Sequence, residues 1–82
     1  MYTCPVCGWD RLLEPPQSAS GDSYEICPCC GFEFGVTDDD RGFSYEAWRE
    51  AWIARGMIFL WPAQKPAKWD PVAQLRNIGA DA

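Results

Sequence analysis

The chain has 82 residues, a formal net charge of −5 and five cysteines. A domain of this size seldom holds together by its hydrophobic core alone, so a metal or covalent staple is expected. The acidic balance argues against a nucleic-acid binder, which needs a basic patch to displace counterions from phosphate. The longest apolar run, Met57 to Trp61, is too short to span a bilayer.

In chain order, Tyr2 to Cys4 reads as a short strand entering the motif Cys4-Pro5-Val6-Cys7-Gly8-Trp9-Asp10. The turn-rich stretch Pro15 to Asp22 is expected to be a solvated hairpin loop. Ser23 to Cys27 then returns as a strand into a second copy of the motif, Cys27-Pro28-Cys29-Cys30-Gly31-Phe32-Glu33. Two residues between cysteines let one tight turn offer both sulfurs to one ion at about 2.3 Å. Proline stiffens the turn at its start. Glycine after the second cysteine permits a positive φ and frees backbone N–H groups to point at sulfur. Two such knuckles in one short chain predict a tetrathiolate site made by Cys4, Cys7, Cys27 and Cys30. Zinc is the expected metal, although the motif serves iron equally. With four thiolates and one divalent ion the net charge becomes about −7. Cys29 is left over, and a residue at its place in a knuckle is expected to be a spare, partly exposed thiol.

Phe32, Phe34 and Val36 alternate with polar or small residues, the period of a half-buried strand. Asp38-Asp39-Asp40 lacks the alternating acids and terminal glutamate of a calcium loop, and reads as a solvated acidic loop. Ser44 to Arg55 predicts a helix, with Ser44 as N-cap and Gly56 as the stop. Tyr45, Trp48 and Trp52 share its inner face, while Glu46, Arg49 and Glu50 are expected to face water. Met57 to Trp61 reads as a buried extended segment, with an edge strand open to a partner as the alternative. Pro62, Pro66 and Pro71 keep the following stretch extended. A second short helix opens at Asp70-Pro71, buries Val72, Leu75 and Ile78, and ends at Gly79. Residues 80–82 are expected to fray.

The two knuckles, the segment Ser23-Tyr24-Glu25-Ile26-Cys27-Pro28 and the acidic run after them resemble the bacterial cysteine-rich CPCC family. The resemblance covers about residues 1–55 and implies a small zinc-ribbon or rubredoxin-like protein with no assigned activity. In that family the double cysteine usually lies in the first knuckle, whereas here it is Cys29-Cys30 of the second.

The expected fold is therefore a small α+β domain. Residues 1–37 form a zinc ribbon, and 38–82 form a helical extension packed on it. A four-cysteine site leaves no coordination position open for water or substrate, and the chain has no histidine to act as a base. A non-catalytic protein that binds another protein is expected, with a basic partner surface and an inhibitor or immunity-type role as one concrete version. A rubredoxin-like iron electron carrier and a nucleic-acid-binding ribbon using Phe32 and Phe34 to stack bases are the alternatives. The odd thiol and a start without leader character point to a reducing cytoplasm.

Overall fold

The computed structural model describes residues 1–81. It is a small α+β structure with a two-stranded antiparallel hairpin and two helices, arranged around the two knuckles. The knuckles repeat one hydrogen-bond pattern. Gly8 N donates to Cys4 O at 2.9 Å, and Cys4 N donates to Trp9 O. Gly31 N donates to Cys27 O at 2.9 Å, and Cys27 N donates to Phe32 O. Both glycines take the left-handed conformation that an L side chain resists, with φ of 87° and 81°.

The strands expected beside the knuckles are reduced to single bridges, Tyr2 with Leu12 and Ile26 with Glu33. The backbone explains this. Tyr24 has φ 58°, which breaks the entry to the second knuckle. After Glu33 the chain coils, and Val36 N and Thr37 N both donate to the Glu33 carbonyl. Phe32 and Phe34 are still fully buried, so their alternation reports the core and not a strand. Regular strand occurs instead within the predicted solvated hairpin, where β1 (Gln17–Ser18) pairs with β2 (Gly21–Asp22).

Helix α1 (Tyr45–Ala54) begins as its sequence demands, with Ser44 Oγ accepting from Ala47 N at 3.0 Å. Gly56, at φ 97°, follows its last turn. Trp52 is buried, and the half-buried Tyr45 and Trp48 meet Phe32 edge-on at 5.3 and 6.0 Å. The run after α1 is not the buried segment that its composition suggests. Only Phe59 is buried, while Ile58, Leu60 and Trp61 are exposed. Backbone hydrogen bonds decide its path: Leu60 N donates to Cys29 O and Trp61 N to Pro28 O. The segment ties itself to the second knuckle and turns Ile58, Leu60 and Trp61 outward.

Helix α2 (Pro71–Leu75) is capped by Asp70 Oδ1, which accepts from Val72 N and Ala73 N. One 3-10 turn follows before Gly79, at φ 69°. Its buried residues are Leu75 and Gln74, with Ile78 half-buried and Val72 exposed. The change to a 3-10 turn alters the face that a longer α-helix would bury. Ala80 is held by a bond from its N–H to Leu75 O, contrary to the expected fraying, and Ala82 lies outside the described residues. One buried cluster runs from the knuckle cysteines through Trp9 and Phe32 to Trp52, Phe59 and Leu75. Among the described residues no helix is long and apolar enough to cross a membrane.

Candidate metal centre

The fold brings Cys4, Cys7, Cys27 and Cys30 together, with all four sulfurs within 4.8 Å of one another. Across the two knuckles, Cys4 Sγ lies 3.9 Å from Cys30 Sγ and Cys7 Sγ lies 3.7 Å from Cys27 Sγ. Four sulfurs at about 2.3 Å from a central ion stand about 3.8 Å apart in a tetrahedron. The sulfur spacing therefore fits a tetrahedral metal ion, and it is far longer than a disulfide of about 2.05 Å. All five cysteines are free thiols.

Electrostatics give a second test of fit. Burial raises the Cys4 thiol, but the sulfurs of Cys27, Cys30 and Cys7 and the Cys7 N–H outweigh it and hold Cys4 well below the ordinary thiol range. The Cys27 sulfur, then those of Cys29, Cys30 and Cys4, pushes Cys7 far above that range. Burial, then Cys27 and Cys4, pushes Cys30 up. The cluster stabilises an ionised sulfur and opposes the next. A central cation removes that conflict and lets all four ionise.

The knuckles are held from outside by side chains. Arg49 Nε donates to Val6 O at 2.7 Å and Nη2 to Pro5 O at 2.8 Å, so Arg49 does not face water as its helical position suggested. Its guanidinium reaches two knuckle carbonyls that have no other donor among the described residues. Gln74 Nε2 donates to Cys7 O at 3.0 Å, and Asn77 Nδ2 to Gly8 O at 3.0 Å. Trp48 Nε1 donates to Cys30 O at 3.0 Å. Gln74 and Asn77 carry no motif, and only their spacing on α2 and the turn after it hinted at a shared face.

Cys29 is the main correction within the second knuckle. It is fully buried, and its sulfur accepts a hydrogen bond from Gln74 Nε2 at 3.3 Å. The last helix covers a position that an isolated knuckle would expose. Phe32 and Phe34, named as base-stacking candidates, are also buried and cannot stack on a base.

Comparison with known proteins adds relatives. The chain is 31% identical over 80 residues to the uncharacterized protein YoaQ of Bacillus subtilis (strain 168), covering 79% of this chain and 68% of the relative. It is 33% identical over 82 residues to the uncharacterized protein YozI of the same organism, covering 80% of this chain and 68% of that relative. The chain belongs to the family of YoaQ and YozI. No protein-family profile and no solved structure matches it.

In this YoaQ/YozI-family chain the acidic loop also gains a member from elsewhere. Asp39 is fully exposed, and the Asp22 carboxyl beside it, followed by the charges of Asp38 and Asp40, raises its own carboxyl above the usual range. Asp22 belongs to β2, so the hairpin and the loop after the second knuckle share one acidic surface. Asp38 Oδ1 also accepts from Gly35 N at 2.7 Å, which fixes the loop against the knuckle. Among the described residues the one salt bridge joins Arg11 to Asp10, and it leaves this surface unpaired.

Proposed function

We propose that the protein is a non-catalytic zinc ribbon of the cysteine-rich CPCC type that acts by binding another protein. The observation that carries this reading is the buried cluster of four sulfurs at tetrahedral spacing. Cys4, Cys7, Cys27 and Cys30 would hold one zinc ion, which supplies cohesion between the two knuckles and no open coordination position. Burial of all four cysteines supports a structural role, and four thiolates would fill a tetrahedral site and leave no ligand position for a substrate.

The surface supports a basic partner. The unpaired carboxylates of Asp22, Asp38, Asp39 and Asp40 lie next to Tyr24, since a side chain at Gly35 would meet both the Tyr24 ring and Asp22 Cβ. Tyr24 is 62% exposed, and its ring lies over Gly35. Beside it a mostly apolar cavity of about 370 Å³ is lined by Leu13, Tyr24, Ile26, Pro28 and Trp61, with the charged Arg11 and Glu25 and the polar Gln64 completing its wall. An apolar cleft next to an acidic surface suits a protein segment that carries both lysine or arginine and an apolar anchor. An inhibitor or immunity-type protein that neutralises a basic target fits this pattern, working in a reducing cytoplasm where the thiols stay loaded.

Elemental analysis of reduced, freshly purified protein, with an absorption spectrum of the same sample, tests the metal. One zinc per chain and no visible colour is the expected result. Iron with strong visible bands would replace this reading with electron transfer. For the partner, retention of a basic protein on the immobilised chain and its release by high salt is expected. Binding that persists unchanged in high salt would contradict the acidic surface as its basis.

A further inference from the structure

A second cavity lies against Cys30 of the second knuckle. It has a volume of about 160 Å³ and is lined by Cys30, Trp52, Arg55, Ile58 and Leu60. Cys4, Cys7 and Cys27 have no exposed surface, whereas Cys30 keeps 4%. Of the four clustered cysteines, only Cys30 lines this cavity. Its cover is thin. Leu60 is 48% exposed, and Ile58 is 65% exposed. Leu60 leans over the knuckle, so that a β-carbon at Gly31 would sit 3.2 Å from Leu60 Cδ2. Arg55 adds a positive charge to the wall, and its guanidinium is steadied over the Trp48 ring at 5.6 Å.

We infer that this cavity makes Cys30 a modification site for small hydroperoxides, with Cys4 as the resolving thiol. Resting on the metal reading above, Cys30 is held as a thiolate, the nucleophilic form of sulfur. A water occupies about 30 Å³ of liquid, so hydrogen peroxide fits the cavity and a tripeptide disulfide does not. The Cys30 sulfur attacks one peroxide oxygen. An S–O bond forms, the O–O bond breaks, and hydroxide leaves beside the Arg55 guanidinium. The Cys4 sulfur, 3.9 Å away, then attacks the oxidised sulfur. An S–S bond forms, the S–O bond breaks and a second hydroxide leaves. Two thiolates have lost two electrons, and one peroxide with two protons has become two waters. Only Cys7 and Cys27 would remain as ligands, too few to retain the proposed ion.

The test treats the metal-loaded protein with hydrogen peroxide while a chromogenic chelator reads zinc release. Dimedone trapping and peptide mass spectrometry name the first sulfur oxidised. Cys30 is expected to carry the first dimedone adduct, followed by a Cys4–Cys30 disulfide without dimedone. Leu60→Trp, which fills the cavity, is expected to slow release at least about fivefold, and Leu60→Ala to speed it. Oxidised glutathione is expected to act more slowly than peroxide. Cys29→Ser should leave the rate unchanged. A first adduct on Cys29 or any other cysteine would overturn the proposal. So would Leu60 variants that keep their zinc and circular dichroism but react at the wild-type rate. Because the adduct is read by mass, a protein that holds no zinc fails the metal assignment separately from this inference.

Discussion

The two knuckles share a motif and a hydrogen-bond pattern, yet the rest of the chain treats them differently. The first is clamped by side chains from two helical regions, with Arg49 on Pro5 and Val6, Gln74 on Cys7 and Asn77 on Gly8. The second is tied mainly by backbone, through Leu60 N and Trp61 N, with Trp48 as its one side-chain donor to a carbonyl. The glycines show the same contrast. A side chain at Gly8 would collide with the Gln74 carbonyl oxygen, whereas one at Gly31 would meet only the tip of Leu60. Rigid backbone cannot yield, but a leucine methyl can. A repeated motif thus fixes ligand geometry, while the surrounding chain decides which half is locked and which half small molecules can approach.

Removing the metal should erase the contrast. Structural zinc sites supply about 10–16 kcal/mol in small domains, more than a chain of this size has in reserve. Chelation, or Cys7→Ser, is expected to abolish the cooperative thermal transition seen by circular dichroism. Acid should do the same, since the ligands must be deprotonated to hold the ion. A sharp transition in the chelated protein would show that the core around Trp52 holds without the knuckles.

The next largest effect compares the glycines. Both Gly8→Ala and Gly31→Ala carry the left-handed penalty of about 1–2 kcal/mol. Gly8→Ala must also push α2 away, so a total of about 3 kcal/mol or more is expected. Denaturant unfolding of the two variants, each in its metal-loaded form, checks this, and equal losses would break the claim that the first knuckle is the locked one. Arg49→Met sharpens it further. The aliphatic stem is kept, two carbonyls lose a charged donor, and about 2–3 kcal/mol should be lost in the same measurement. Trp48→Phe removes one neutral bond from the second knuckle and should cost about 1 kcal/mol from that source.

The sulfur cluster was legible in sequence because its geometry is local: spacing, proline and glycine set each turn before any tertiary contact forms. Helix α1 was legible for the same reason, through Ser44, the Trp48–Trp52 spacing and Gly56. Arg49, Gln74 and Cys29 were not. Arg49 bonds to residues 43 and 44 positions earlier, and Gln74 to one 67 positions earlier, separations at which periodicity carries no information. Cys29 appeared exposed only because an isolated knuckle leaves that position bare. The run Met57 to Trp61 misled through composition, since its backbone was needed to bond the second knuckle and three of its five side chains had to turn away. The strands flanking the knuckles failed because alternation at Phe32 and Phe34 records burial, which a coil can supply as well as a sheet.

The smallest expected effect belongs to the acidic surface that follows the second knuckle and has no counterpart on the first. Asp39 has a raised carboxyl pKa, caused first by the Asp22 carboxyl beside it and then by Asp38 and Asp40. A carboxyl raised in the folded state favours folding fully below its unfolded value, and that contribution is lost as pH rises through the folded value. At neutral pH the ionised Asp39 therefore opposes the fold slightly. Asp39→Asn should raise the thermal midpoint of the metal-loaded protein a little at pH 7. The gain should shrink as pH falls toward the ordinary carboxylate range, and also in high salt, because the group is fully exposed and screened. If the same variant also weakens binding of a basic protein, the like charges are kept together for recognition at the expense of stability. If it raises the midpoint and leaves binding intact, recognition must lie in the Tyr24–Trp61 cleft instead.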